Sequence, residues 1–189
     1  MPSVSFEFFP PKTLEASFRL WDCVQVLAPL SPTFVSVTYG AGGTTRKLTH
    51  EAVTALHRQT ELKVAAHLTC VDATRVETME IAQSYAEAGV TDIVALRGDP
   101  PKGSVGFRPN AEGFQSSIEL ISALSETGQF NLSVGAYPEV HPEATSLQDH
   151  IEYLKRKFDA GAGQAITQFF FEADTFLRFR DACADAGIT

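Results

Sequence analysis

Residues 63–97 read KVAAHLTCVDATRVETMEIAQSYAEAGVTDIVALR, and the fold can be inferred outward from this stretch. It opens on a short apolar run and continues into a segment whose apolar residues keep the spacing of a helix. Gly89 stands where that helix is expected to stop, and a second apolar run follows. An apolar run of this length is typical of a strand buried on both faces, as in a parallel sheet. The stretch is therefore predicted to be one βα unit followed by the next strand.

The same pattern occurs six times along the 189 residues. The apolar runs begin at residues 4, 34, 63, 92, 131 and 164, and a βα unit takes about 30 residues. The predicted strands are 4–9, 34–39, 63–70, 92–97, 131–137 and 164–171, and the predicted helices are 14–27, 45–59, 74–88, 114–126, 147–160 and 173–186. No linker or low-complexity tract interrupts the series, so a single domain is expected over residues 1–189.

Composition and charge exclude several classes of protein. Fifteen basic against 23 acidic residues give a net charge of −8, which argues against a nucleic-acid surface. No apolar run approaches the roughly 18 residues of a membrane span, and no signal peptide is recognisable. The three cysteines and five histidines lack the spacing of a disulfide framework or a metal site. We therefore expect a cytoplasmic protein without a bound metal.

Two architectures use consecutive βα units. Length favours an open doubly wound sheet, because a complete (βα)₈ barrel needs roughly 250 residues. Polar residues at the ends of all six predicted strands favour a barrel, because those ends meet on one face of a barrel. We therefore expect an α/β TIM barrel in which only about six βα units are present. A doubly wound nucleotide-binding oxidoreductase is the alternative, and a reversal in strand order would indicate it.

Two strand ends carry candidate chemistry. Glu7 lies among phenylalanines in a predicted buried strand, where desolvation would raise its pKa and suit it to general acid catalysis. A salt-bridged structural glutamate is the alternative. Arg97, Gly98 and Asp99 end the fourth predicted strand. Gly98 allows close approach of a planar ligand, and Asp99 could bind a ring with two adjacent N–H donors, although a strand-end turn would explain the same residues.

A glycine-rich stretch and a basic cluster are less specific signals. Residues 39–45, YGAGGTT, have Thr45 where the third glycine of a dinucleotide-binding loop should stand, so a tight turn is favoured over a phosphate loop. Residues 155–157, KRK, lie on a predicted helix of an acidic chain. They either form a solvated face or bind a phosphate or pyrophosphate.

Several longer motifs resemble the methylenetetrahydrofolate reductase family, most closely its bacterial single-domain form. The resemblance runs in order from about residue 4 to the end of the chain. It rests on SFEFFPPK at 5–12, VTYGAGG at 37–43, ALRGDP at 95–100, AYPEVHPE at 136–143, LKRK at 154–157 with DAGA at 159–162, and ITQFFF at 166–171.

This resemblance implies a (βα)₈ barrel that holds FAD at its carboxyl-terminal face. It implies that NADH or NADPH reduces FAD and leaves before 5,10-methylenetetrahydrofolate binds, in a ping-pong cycle that yields 5-methyltetrahydrofolate for methionine supply. It assigns proton donation to Glu7, stabilisation of the developing cation and pterin binding to Asp99, and substrate binding to Gln168. The residues that it assigns to FAD are Thr38, Tyr39, Ala41, His67, Arg97, Gly98, Asp99, Tyr137, His141, Arg156 and Lys157.

The chain departs from the family pattern in two ways. His150 stands where the family commonly has aspartate, and Tyr153 stands where bacterial relatives commonly have a smaller polar residue. The pattern also stops after six units, so the last two βα units of a barrel are missing. We expect a fragment of a longer protein that is poorly stable alone and forms a homo-oligomer when full length. A catalytically inactive flavin- or folate-binding fragment is the alternative.

Overall fold

The structure, a computed structural model, describes residues 3–40, 45–99, 109–139, 141 and 144–188. Strands and helices alternate along the chain. The strands are β1 (Ser5–Phe8), β2 (Phe34–Val37), β3 (Val64–Thr69), β4 (Asp92–Leu96), β5 (Asn131–Ala136) and β6 (Gln164–Thr167). The helices are α1 (Leu14–Leu27), α2 (Arg46–Gln59), α3 (Arg75–Glu87), α4 (Ser117–Glu126), α5 (Leu147–Asp159) and α6 (Ala173–Asp185), and a 3₁₀ turn at Ala28–Leu30 extends α1.

The six strands form one parallel sheet whose spatial order is their sequence order, β1 to β6. A doubly wound sheet would reverse direction at a switch point, and no reversal occurs. The order therefore confirms the prediction of a barrel-type fold and contradicts the doubly wound alternative. The sheet curls into a half-barrel, which is an incomplete TIM barrel.

Local sequence explains where most helices begin. Thr74 and Glu77 form a capping box at the start of α3. Ser116 caps α4 by accepting a hydrogen bond from the Glu119 backbone, so this helix begins at Ser117 and not at the predicted Phe114. Phe114 is instead buried ahead of the helix, beneath the guanidinium of Arg75.

The core lies behind the central strands. Every residue of β3 is buried, and large side chains such as Leu56, Leu68, Ile93 and Leu120 fill the space between the sheet and the helices. By contrast, β1 and β6 are only partly buried, so the expectation of burial on both faces is wrong for them. The reason is that each pairs with a single neighbour among the described residues and forms an edge of the sheet.

The last strand is shorter than predicted. It ends at Thr167, because β5 ends at its partner Ala136 and the ladder stops there. Phe169 and Phe171, predicted to continue the strand, have 88% and 90% of their surface exposed.

Within the described ranges, none of the helices combines the length and the apolar composition that a membrane span requires.

Candidate functional site

A cavity of about 520 Å³ lies at the carboxyl ends of the strands, where α/β barrels place their sites. Its volume is within the range of small-molecule and cofactor sites. Residues at or just beyond the ends of β2 to β6 line it together with residues of α4 and α5. Eight of the residues predicted from sequence lie in its wall: Tyr39, Arg97, Gly98, Asp99, Tyr137, His141, Lys157 and Gln168.

The remaining predicted residues have other positions. Thr38, His67, Glu7 and Arg156 are not among the residues that line the cavity. The Thr38 carbonyl accepts a hydrogen bond of 3.0 Å from the Thr49 hydroxyl, which ties the end of β2 to α2. Ala41 lies outside the described residues. The residues named from the sequence therefore supply part of the wall, and others such as Gly40 and Ser117 were not named.

Glu7 differs from its predicted environment. Its side chain is 53% exposed, because β1 is an edge strand with water on one side. Oε2 lies 3.2 Å from Nε2 of His67, which is close enough for an ion pair when His67 is protonated. The Ser36 hydroxyl donates to the same oxygen at 3.4 Å. Chiefly through His67, these contacts lower the pKa of Glu7, so the prediction of a buried carboxyl group with a raised pKa is wrong.

Gly98 forms a tightly packed part of the cavity wall. Its φ is +87°, and an added Cβ would lie 2.7 Å from Cγ1 of Val71 and 2.9 Å from Cβ of Thr69. No other residue fits there without displacing both side chains. Beside it, the carbonyl oxygen of Arg97 accepts a hydrogen bond from the thiol of Cys70 at 3.3 Å. The backbone at the end of β4 is thereby held close to the space a ligand would occupy.

The basic cluster on α5 divides between solvent and the cavity. Lys155 is exposed and pairs with Asp159, as a solvated face requires. Lys157 is 8% exposed, and its Nζ donates a hydrogen bond of 2.8 Å to the carbonyl of Gly135 on β5. Burial, with a smaller effect of the Arg97 charge, lowers the pKa of Lys157 to about 8. Lys157 is thus a largely buried cation in the cavity wall.

From the sequence, His150 and Tyr153 are identified only as departures from the family pattern, and both line the cavity with Lys157. The three residues follow the i, i+3, i+7 spacing of one helix face, and this spacing is the signal that could have found them. The Tyr153 hydroxyl lies 3.3 Å from the Ser117 hydroxyl and links α5 to α4. Lys157 Nζ lies 5.3 Å from the centre of the Tyr153 ring, within the range of a cation–π contact.

Two buried polar atoms of the cavity wall have no hydrogen-bond partner within the described ranges. They are Nε2 of His150 and Oγ1 of Thr69. Buried polar atoms are normally satisfied by protein, water or ligand. Desolvation lowers the pKa of His150, and the Lys157 and His141 charges lower it further. The wall therefore suits a ligand that carries negative charge and hydrogen-bonding groups.

The described ends of the glycine-rich stretch are tied to α2. The Gly40 backbone N–H donates to the Thr45 hydroxyl at 2.7 Å, and Arg46 donates through Nε to the hydroxyl of Tyr39 at 2.9 Å. Burial raises the pKa of Tyr39, although the Arg46 charge opposes the rise. Arg46 thus fixes the direction of a tyrosine ring that lines the cavity.

Comparison with known proteins finds one family model and several relatives that match the chain. The family model described as methylenetetrahydrofolate reductase matches residues 1–189. A 5,10-methylenetetrahydrofolate reductase of Pectobacterium carotovorum subsp. carotovorum is 50% identical over 186 residues, which are 98% of this chain and 60% of the relative. One from Escherichia coli (strain K12) is also 50% identical over 186 residues, 98% of this chain and 61% of that protein. The chain thus spans about three fifths of the length of these relatives.

A solved structure of distant sequence shares the fold. The crystal structure of a 2,3-dimethylmalate lyase, a member of the PEP mutase/isocitrate lyase superfamily, superposes with a TM-score of 0.63 at 10% identity. The match covers 96% of this chain and 63% of that one. At this identity the likeness concerns the fold alone.

Proposed function

We propose that this chain forms the cofactor- and folate-binding part of an enzyme that reduces 5,10-methylenetetrahydrofolate to 5-methyltetrahydrofolate. The reason is that the chain belongs to the methylenetetrahydrofolate reductase family. The observation that carries the proposal is the family match over every residue of the chain, with half of the residues identical to bacterial relatives. The cavity at the strand ends supports it, because eight residues that the family resemblance assigns to cofactor or substrate line one wall.

FAD is the cofactor that we propose for this cavity. When bound, it would carry hydride from NADH or NADPH to the folate in a ping-pong cycle. The residues present fit such a group, because a dinucleotide offers anionic oxygens to Lys157 and acceptor or donor atoms to Thr69. The absent side chain at Gly98 leaves the backbone at the end of β4 open to a flat ring.

Three residues are proposed to act on the folate. Asp99 and Gln168 line the cavity, where Asp99 would stabilise positive charge that develops on the substrate and Gln168 would bind the pterin. Glu7 is proposed as the proton donor. Its exposed half faces water in the free chain, and a bound substrate that excluded this water would raise its pKa toward the value that an acid needs at neutral pH.

We also propose that residues 1–189 form one barrel domain that two further βα units complete. Strands β1 and β6 each have a single neighbour in the described sheet, and paired strands on both sides are the rule in a closed barrel. Apolar side chains near these edges are exposed, among them Phe9 and Phe169. Two added strands would cover both edges and remove the open rows of backbone donors and acceptors.

An absorbance spectrum tests the proposed function. The purified chain is incubated with FAD, freed of unbound FAD by gel filtration, and recorded from 300 to 550 nm before and after anaerobic NADH or NADPH. The same spectra are taken from a fusion protein in which residues 1–189 continue into the unmatched remainder of the Pectobacterium relative. A flavin band that bleaches in either protein supports the proposal. A band that forms but does not bleach indicates a non-catalytic flavin-binding fragment, and the absence of a band in both proteins refutes FAD as the cofactor.

A further inference from the structure

His150 is a buried histidine of the cavity wall, and its surroundings disfavour the charged form of its ring. His150 is 5% exposed, and its Nε2 has no hydrogen-bond partner within the described ranges. Its ring meets the Tyr137 ring edge-on, with 5.9 Å between ring centres, and lies 6.2 Å from the Phe179 ring. An imidazolium in this position would have a buried N–H without an acceptor, which is costly.

Of the histidine, lysine, arginine and carboxylate side chains that line the cavity near His150, most are basic. Lys157 lies two turns along α5, His141 stacks edge-on against Tyr137 after β5, and Arg97 follows β4. Two carboxylates also line the cavity. Asp149 accepts a hydrogen bond from the Thr145 hydroxyl, and Asp99 follows β4. From α6, the residue in contact with His150 is the uncharged Phe179.

We propose that His150 takes up a proton when an anionic group binds in this cavity, so that cofactor binding is coupled to pH through this one residue. The inference rests on the proposed function, since the anion that it invokes is the pyrophosphate of the dinucleotide. A bound phosphate oxygen would supply the negative charge that the free cavity lacks beside Lys157. It would offset the repulsion of His150 by Lys157 and His141 and favour the imidazolium. The proton comes from solvent, and no bond of the ligand is broken.

Linkage gives the direction of the effect. If bound cofactor raises the proton affinity of His150, the protonated form binds cofactor more tightly than the neutral form. The cofactor affinity must then fall as pH rises from the pKa of His150 in the free protein to its pKa in the cofactor-bound protein. In the free chain His150 has its pKa below the usual 6.5, so the fall begins under pH 6.5. Lys157 loses its charge only near pH 8 and does not contribute in this window.

The test measures FAD affinity by quenching of flavin fluorescence at pH 5.5 and pH 7.0. It compares wild type, His150→Gln and the control His57→Gln, which makes the same change on α2 away from the cavity wall. All three are made in the 189-residue chain and in the fusion protein. One coupled proton can change the affinity by at most about tenfold per pH unit. We expect the FAD affinity of the wild type and of the control to fall about fivefold between pH 5.5 and pH 7.0. The FAD affinity of His150→Gln should change less than twofold over the same interval.

A second measurement does not depend on the folding of the His150 variant. The imidazole resonances of the wild-type protein are titrated by NMR with and without FAD, and a rise in the His150 midpoint on binding is the expected result. An unchanged midpoint, or a pH dependence that persists in His150→Gln, overturns this inference while leaving the proposed cofactor intact. Failure of every variant to bind FAD at either pH refutes the proposed cofactor and this inference together.

Discussion

Oε2 of Glu7 on β1 lies 3.2 Å from Nε2 of His67 on β3, so the two side chains meet across the intervening strand β2. Ser36 of β2 donates to the same carboxylate oxygen. The three strands thus hold one carboxylate at the edge of the sheet with half of its surface open to solvent. This arrangement is suited to a group whose protonation state responds to a ligand that covers it.

Replacing Glu7 by Gln separates the two half-reactions. Glutamine keeps the size and a hydrogen-bond acceptor but cannot deliver a proton. We expect folate reduction to fall by about 100-fold or more, as loss of a general acid does, while anaerobic bleaching of FAD by NADH is unchanged. Stopped-flow absorbance of the fusion protein measures both steps.

The matched control for Glu7→Gln is Glu15→Gln on α1, whose carboxylate is exposed and pairs with Arg19. It should alter neither half-reaction. Retention of folate reduction by Glu7→Gln would remove Glu7 from the mechanism and leave it a structural partner of His67.

Substituting Gly98 by Ala should destabilise the protein and weaken cofactor binding. The added methyl group would meet Val71 and Thr69 well inside contact distance, at a φ of +87° that side chains rarely adopt. We expect a loss of about 2–4 kcal/mol in the free energy of unfolding, from strain and overpacking together. Urea denaturation followed by circular dichroism measures it.

Gly128→Ala is the control for Gly98→Ala. Gly128 also has a positive φ, +66°, but no atom lies within 4 Å of an added Cβ. This variant carries the backbone strain without the clash, so its loss should be about 1 kcal/mol. Equal losses in the two variants would show that Val71 and Thr69 move aside freely.

Removing the charge of Lys157 should weaken FAD binding. Lys157→Met keeps most of the buried stem but loses the cation, and we expect the affinity to fall by about tenfold or more, the usual value of a charge-assisted contact. Lys155→Met, two residues away on the exposed face, should change the affinity less than twofold. Fluorescence titration at pH 7 compares them, and equal effects would place the anion outside this wall.

Lys157 also predicts a pH dependence of stability. Its pKa is about 8 in the folded chain against 10.5 ordinarily, so between these values the unfolded chain holds a proton that the folded chain has lost. Unfolding then takes up a proton, and the free energy of unfolding should rise with pH across this interval. Thermal or urea unfolding at pH 7.5, 8.2 and 8.9 should show the rise in wild type and Lys155→Met, because above pH 9 the raised pKa of Cys70, about 11, gives the opposite slope. Lys157→Met should lack it, and a rise of equal size in that variant would assign it to another group.

Much of the fold followed from the local pattern. The apolar runs and the helical spacing predicted all six strands and six helices, with small shifts at the ends, because strand and helix periodicity is written in neighbouring residues. The shift at α4 came from a capping serine, and the shortening of β6 came from the end of its partner strand. The second kind of boundary depends on a distant segment and cannot be read from local pattern.

Part of the cavity wall was also predictable from the sequence. Polar residues at strand ends marked Arg97, Asp99, Tyr137 and Gln168, because parallel strands deliver their carboxyl ends to one face. The helix residues His150 and Tyr153 were not placed, since their contribution depends on which face of α5 meets the cavity.

Residue spacing in the chain itself determines the alternation of strands and helices and the edge of the sheet at which the polar strand ends lie. Burial is not, because it depends on what covers a side chain in three dimensions. Glu7 stands among phenylalanines and is nevertheless half exposed, because its strand is an edge. Lys155 and Lys157 are near neighbours of the same type, yet only one is buried against β5, because a helix turns about 100° per residue and shows its partners a single face.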